Sequence, residues 1–437
     1  MSREFVIKKH DLELIFKLIS NFVEKRVEPL PLNLRKNNNI VHYYYEIIRF
    51  WSKLNFIIKR VYFGSEHLDI DKISKLLYAT YRILWEHASE EEIIREIKNI
   101  DQDFLKRLKS FSWNKALIHK DKEERLSIRE SIPRFMINHL LPVMDIDFLR
   151  KNVNYMNRTD KKIEITSRVN NLKKNLSSKD LSEQIKIELT EYKIKCREDI
   201  DIPELYWIPL SQKNKVVNLS LYQEGDLIFQ DKASATVIKA LSPREDDKIC
   251  DMCAAPGIKT SLIAQYMNNK GHIIASDFLL DRVKIMKVLL NKLNVLNTEI
   301  VNTDSIIFPI RFQNYFDKIL LDAPCTGSGN LLANPELKWR QNQKFLQQNL
   351  TLQRKLIQSA INLIRPGGIF IYSACSLYPE EGEHLILNFL DYLKPLDLPD
   401  WVSPGYKINN KLVPGTGRLF PSIHQTQGFF IGKFKKK

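Results

Sequence analysis

The chain has 437 residues, 44% hydrophobic, 10% aromatic and 27% charged. This ordinary globular composition excludes a fibrous or wholly disordered protein, and the length excludes a single average domain. Lys and Arg outnumber Asp and Glu by 67 to 52, a formal charge of +15, which favours a polyanionic partner such as nucleic acid.

The first third reads as helical. Leu12, Ile15, Phe16, Ile19 and Phe22 fall at helical spacing, and Pro29 and Pro31 end that helix. One apolar series runs from Val41 through Ile47, Ile48, Trp51 and Leu54, and another from Ile73 through Leu76, Leu77, Tyr81 and Leu84. Ser89 with Glu92 forms a capping box before Ile93, Ile94 and Ile97. Residues 1–145 are therefore expected to be a small all-helical domain, with Tyr43, Tyr44, Tyr45, Trp51 and Trp85 packed in its core rather than stacking on bases. The charged run from Ile118 to Arg129 is a candidate boundary.

Residues 146–215 are expected to form a small α/β subdomain. KIEITSRVN alternates like a strand, SSKDLSEQIKIEL reads as a helix capped near Ser178 or Asp180, and YKIKC and ELYWIPL read as strands. From 216 to 437 the pattern is strand, turn, helix, repeated. The strands are DKICDMC, GHIIASD, TEIVNTD, FDKILLD, GIFIYSACS and QGFFIGKFK. The long helix FLQQNLTLQRKLIQSAINLI is closed by Pro366-Gly367-Gly368. Such alternation predicts a mostly parallel, Rossmann-like sheet covered by helices on both faces, with ligands at the C-terminal ends of its strands. From Trp401 to Lys437 there are seven Lys or Arg and no Asp or Glu, a one-sided tail that suits a polyanion.

Five Cys are too few for a disulfide scaffold and fit a reducing compartment. Met1–Lys9 lacks the apolar core of a signal peptide, and no run of ~20 apolar residues is present. The sequence reads as soluble and cytoplasmic.

The chemistry gathers at strand ends. Asp251-Met252-Cys253-Ala254-Ala255-Pro256-Gly257-Ile258-Lys259-Thr260 is a small-residue loop after a strand, which lets the backbone approach a ligand closely. Asp277 ends the next strand, where a carboxylate can accept from ribose hydroxyls. These features suit an adenosine-type cofactor, a dinucleotide or S-adenosylmethionine; the loop is neither G-x-G-x-x-G nor a P-loop. Asp304 ends the third strand, Asp322 opens Asp-Ala-Pro-Cys325, and Cys375 ends the fifth. Cys250 and Cys253 form a C-x-x-C without a second pair, so no metal is expected, and Cys196 is read as structural.

QDKAS (Gln230–Ser234), DMCAAPGIKT, ASDFLLDR, DAPCTGSG, NPELKW (Asn334–Trp339), YSACSLYPEEGE and RLFPSIHQTQGFF together resemble the RNA cytosine-C5 methyltransferase family, the Sun-domain group. The resemblance runs from about Ile163 to the C-terminus. SRVN (Ser167–Asn170) resembles the start of that family's small N-terminal subdomain, and the helical third is similar to the NusB-like RNA-binding bundle of some members. The resemblance implies an S-adenosylmethionine-dependent enzyme that methylates cytosine C5 in rRNA or tRNA through a covalent cysteine adduct at C6. It makes Cys375 the nucleophile, Cys325 the residue that helps release product, and Asp322 a contact to the cytosine edge and the cofactor. It places Cys253, Ala254, Ala255, Pro256, Gly257, Ile258 and Lys259 along the methionine and ribose, Asp277 on the ribose and Asp304 on the adenine. The target base must then leave its stack.

Three positions depart from the family pattern: Ile258 replaces a Gly, Ala374 replaces a Thr, and Leu332-Ala333 precede Asn334-Pro335 where basic residues are usual. The alternative within the site exchanges the roles of the two Cys. The alternative for the whole chain is an RNA-binding assembly factor with a decayed methylase domain. A methylase of protein or small molecules would have no use for paired catalytic Cys.

Overall fold

The computed structural model describes residues 7–25, 30–63, 68–160, 162–173 and 178–437. Pro29 and the side chain of Ser178, expected at a helix end and a cap, lie outside the described residues. The chain forms two compact units, Met1–Asn157 with Asn330–Asn342, and Arg158–Gly329 with Gln343–Lys437.

The first unit is helical. Helix α1 (Lys9–Lys25) buries the five apolar residues expected. The series from Val41 to Leu54 is two helices, α2 (Asn38–Arg49) and α3 (Trp51–Val61), because Phe50 leaves helical geometry at ψ 15°. The Asn37 side chain caps α2 by accepting from the amides of Asn39 and Ile40, satisfying donors that a helix start leaves open. The Ser89–Glu92 capping box forms with both of its bonds. Tyr43 and Tyr44 are buried, and Tyr45, Trp51 and Trp85 pack against the same core. The charged run is not a boundary: it holds a helix, Lys122–Arg129, with a single buried side chain, Leu126. The unit continues past the expected limit at 145 through the helix Ile146–Met156.

Periodicity gives no hint that Asn330–Asn342 belongs to this helical unit. Helix α2 ends with carbonyls that have no partner within the helix. Trp339 Nε1 donates to Ile48 O at 2.8 Å, and Lys338 Nζ donates to Arg49 O at 2.9 Å and to Asn157 Oδ1. A cation at a helix C-terminus also suits the helix dipole. Arg49 in turn donates to the carbonyls of Met156, Leu331 and Leu332. Lys338 is fully buried, and burial, then the Arg49 charge, pushes its ammonium well below the ordinary lysine range. Lys338→Ala strands two buried acceptors and opens a cavity, so urea unfolding of the helical unit should shift by roughly 2–4 kcal/mol.

The second unit carries two sheets. The smaller is antiparallel, in the order β2 (Arg197–Glu198), β3 (Leu205–Pro209), β1 (Glu164–Val169), β4 (Leu227–Phe229). The strand expected at YKIKC is absent. Lys193 takes a left-handed φ of 56°, and the amides of Lys193 and Ile194 close the helix Ser178–Glu191 on Thr190 O and Leu189 O, a helix-ending geometry. Arg168 explains part of SRVN. It is fully buried, with its guanidinium on Gln230, Ser261 and Gln265, so it joins β1 to two other segments. Burial lowers it to about 10.

The larger sheet begins β7 (Thr298–Asn302), β6 (His272–Asp277), β5 (Lys248–Asp251), β8 (Phe316–Asp322), β9 (Ile364–Ala374), all parallel. Phe429–Lys436, Thr416–Leu419 and Ser403–Pro404 then extend it antiparallel. The Pro366-Gly367-Gly368 turn lies inside β9, since the helix stops at Leu363. Alternate residues of β5, β6, β8 and β9 enter two apolar clusters. Ile249, Ile273, Leu320 and Ile371 join one, and Cys250, Ile274, Ile319, Leu321 and Phe370 the other. This period of two is what a sheet covered on both faces requires. Strand order reverses between β5 and β8, which opens a crevice at their C-terminal ends.

Candidate active site

Four strand ends and their loops converge at that crevice. β8 ends at Asp322, and Cys325 follows. β9 ends at Ala374, and Cys375 follows. Because β8 and β9 are adjacent and parallel, the two thiols meet with Sγ atoms 3.2 Å apart. Burial and the bond to Cys375 leave Cys325 with a thiol raised well above its ordinary value, with the bond the larger cause and the Glu381 charge a further one.

Asp322 is held from both sides. Its Oδ2 accepts from Lys259 Nζ at 2.7 Å and its Oδ1 from Ser373 Oγ at 2.8 Å. Lys259 stands on the helix Ile258–Tyr266, which starts at Gly257 with φ 100°. A Cβ at Gly257 would press on Met286 and Leu290 as well as strain that conformation. Burial disfavours the Lys259 ammonium, but Asp322, and then Asp251 and Cys375, outweigh it and raise its pKa. Ile258, one of the departures, packs its side chain against the apolar cluster under this helix.

The remaining carboxylates sit on the next strands. Asp251, at the end of β5, accepts from Thr260 Oγ1 at 2.8 Å, and its buried Oδ1 has no partner. Asp277, at the end of β6, accepts from the amides of Ala255 and Leu279 and pairs with Arg282 at 3.3 Å. Asp304 follows β7 and accepts from the Ile306 amide at 2.9 Å. Cys253, Ala254, Ala255 and Pro256 form the loop between β5 and Gly257, with Ala254 N on Ser276 O and a cis Ala255–Pro256 peptide. Cys250 is a core residue, and burial with the Asp251 charge holds both it and Cys253 as thiols. Cys196 is half-buried against the small-sheet core.

Burial, against the Thr260 bond and the Lys259 charge, raises Asp251 to about 7 from 3.8. The folded value lies above the unfolded one, so ionisation opposes the fold. This contribution is full below pH about 4 and is lost as pH rises toward 7. Urea midpoints across that window should fall for the wild type, and Asp251→Asn should remove this part of the slope.

Residues 238–435 match the family model described as 16S rRNA methyltransferase RsmB/F. They are a domain of that family. The RsmB/F domain has relatives with several substrates. The chain is 37% identical over 228 residues to a 28S rRNA (cytosine-C(5))-methyltransferase of Mus musculus, covering 49% of this chain and 28% of that one. It is 32% identical over 243 residues to ribosomal RNA small subunit methyltransferase F of Escherichia coli, covering 53% and 50%. It is 34% identical over 258 residues to a tRNA (cytosine(72)-C(5))-methyltransferase of Pyrococcus horikoshii, covering 57% and 61%. The chain thus spans from about a quarter to three fifths of the length of these relatives. Among solved structures, that of PH0851 is similar with a TM-score of 0.78 and 26% identity, over 99% of this chain and 100% of that one. A methyltransferase homolog protein from Pyrococcus horikoshii gives 0.61 and 28%, over 73% and 100%.

Sequence reading did not single out two residues of the RsmB/F domain that shape its two cysteine loops. Arg418 is completely buried and doubly bonded to Glu383, and it donates to the carbonyls of Ser376 and Tyr378, beyond Cys375. Glu381 is completely buried and accepts from both the amide and the hydroxyl of Thr326, beyond Cys325. Both glutamates stand in the quoted YPEEGE, but nothing local marks a Glu in such a turn as buried. The glycines of two motifs explain each other. Gly329 N donates to Cys375 O and Gly428 N to Gly329 O, and a Cβ on Gly329 would lie 1.9 Å from Gly428 O.

Among the described residues no helix is long and apolar enough to cross a membrane, and no cluster of His, Cys, Asp and Glu could hold a metal ion.

Proposed function

We propose that the protein methylates C5 of cytosine in rRNA or tRNA, with S-adenosylmethionine as methyl donor. The observation that carries this is the thiol pair, 3.2 Å apart beside the Asp322–Lys259 pair. Methylation of nitrogen or oxygen needs no thiol. Cytosine C5 is too weak a nucleophile to be methylated directly, and a thiolate added at C6 corrects that.

The residues fit the cofactor. Asp277 offers acceptors to ribose hydroxyls, Asp304 to an adenine amine, and the orphaned Asp251 oxygen marks a polar cradle at the loop. Cys253 to Lys259 would line the methionine and ribose side. When bound, S-adenosylmethionine supplies an electrophilic methyl group at C5.

The chain's own residues do the rest. Cys375 is the nucleophile: its S–H proton leaves to solvent as its Sγ–C6 bond forms, and the C5–C6 π pair moves toward C5. Asp322, fixed by Lys259 and Ser373, meets the cytosine edge. In release the C5–H bond breaks and its pair restores the C5–C6 double bond. The Sγ–C6 bond breaks with its pair on Cys375 sulfur. That sulfur takes the Cys325 proton, and Cys325 takes the C5 proton.

The exposed Lys407, Lys411, Lys435 and Lys437 of the C-terminal segment, the small sheet and the helical unit, read as NusB-like, hold the surrounding RNA in this proposal. Five free cysteines and an RNA substrate fit the cytoplasm. The test uses methyl-labelled S-adenosylmethionine, separated rRNA and tRNA fractions, and product nucleosides, with Cys375→Ala as control. Label in 5-methylcytidine in one fraction is expected. Absence of binding heat with S-adenosylmethionine would overturn the proposal in favour of an assembly factor with a decayed methylase domain.

A further inference from the structure

We infer that Glu381 is a positioning residue for the release half-reaction, fixing Cys325 by holding the peptide group after it directly and the one before it through Gln353. This rests on the roles proposed above for the two cysteines.

Glu381 Oε1 accepts from Thr326 N at 2.9 Å, and Oε2 accepts from Thr326 Oγ1. Gln353 Nε2 donates to Glu381 Oε1 at 3.0 Å and to Pro324 O at 2.8 Å. Both neighbours of Cys325, Pro324 and Thr326, are thereby tied to one carboxylate. The Glu381 backbone is itself pinned, since Tyr372 OH donates to its carbonyl at 2.9 Å.

The choice of residue is costly for the fold. Glu381 is completely buried, and its donors, on Ser376, Thr326 and Gln353, are neutral. A buried carboxylate without a cation is disfavoured, and its pKa is raised by that burial. The acceptor pair does what an apolar side chain cannot: it receives an amide and a hydroxyl of one residue at once. Its charge also adds to the causes that keep Cys325 protonated. The Cys375 loop hangs on a different anchor, Arg418 with Glu383. The loops touch through Gly329 N on Cys375 O and Ser328 on Ser376, but the Cys375 loop keeps an anchor on Arg418 that does not pass through Glu381.

Release needs Cys325 at hydrogen-bond distance from the Cys375 sulfur as the Sγ–C6 bond breaks. Addition needs only Cys375. Loosening Cys325 alone should therefore slow release and spare addition.

The experiment compares wild type, Glu381→Ala, Glu381→Gln and Cys325→Ala on unmodified rRNA and tRNA transcripts. Denaturing gels measure covalent protein–RNA adduct in single turnover and at steady state. Glu381→Ala should accumulate about tenfold more adduct than wild type and turn over about tenfold more slowly, with adduct formation within about threefold. Glu381→Gln keeps an acceptor for the Thr326 amide and should lie between, and it carries the test if the alanine variant does not fold. Equal loss of adduct formation and release in the Glu381 variants, with Cys325→Ala still trapping, would overturn the inference. No trapping by Cys325→Ala would instead overturn the cysteine roles beneath it.

Discussion

Cys375→Ala should lower methyl transfer by roughly 10⁴-fold or more and leave no covalent RNA adduct, while Cys325→Ala should accumulate the adduct. The asymmetry follows from which bond each thiol touches. Without Cys375 no Sγ–C6 bond forms and C5 stays a poor nucleophile. Without Cys325 addition proceeds, but the departing sulfur loses the proton donor that stands 3.2 Å away. Denaturing electrophoresis of protein with labelled RNA separates the two outcomes in one gel. A trapped adduct in Cys375→Ala, with none in Cys325→Ala, would assign the nucleophile to Cys325. Trapping in neither would remove covalent catalysis from the account.

Arg418→Met should cost the catalytic unit about 3–5 kcal/mol in urea unfolding. Arg418 and Glu383 are both fully inaccessible and 2.6 Å apart, so removing the guanidinium strands a buried carboxylate. It also strands the carbonyls of Ser376 and Tyr378 and removes a cation stacked 3.9 Å over the Tyr406 ring. Arg418→Met combined with Glu383→Leu should recover part of the loss, because the isolated charge disappears while the two carbonyls, and the Tyr406 amide that donates to Glu383, remain unpaired. The recovered fraction measures the charge term apart from the hydrogen-bond term. Unchanged unfolding of the single variant would show that the pair contributes nothing.

The strand ends were legible because their chemistry is local. Asp322, Cys325, Cys375 and Asp277 each follow a run of β-branched and apolar residues, and that placement needs no knowledge of distant contacts. The aromatic core of the helical unit was legible for the same reason. What sequence could not disclose depends on partners far along the chain. Arg418 reads as one more cation of a basic tail, yet its carboxylate partner lies 35 positions away. Glu381 reads as a surface acid in a turn. The apolar series through Phe50 continues without a gap, although the backbone breaks there. YKIKC alternates like a strand, but closing the preceding helix claims its amides. Local patterning cannot say which core a segment will enter, so Asn330–Asn342, set among catalytic motifs, carried no sign that it completes another unit.

That last segment imposes an order on synthesis. Chains usually fold from the N-terminus as they emerge. Here the first 157 residues leave the ribosome with the C-terminal carbonyls of α2 still lacking their donors on Lys338 and Trp339. At ordinary elongation rates those donors arrive roughly 10–40 s later. The N-terminal helices must therefore wait, incomplete, while much of the catalytic sheet is being made.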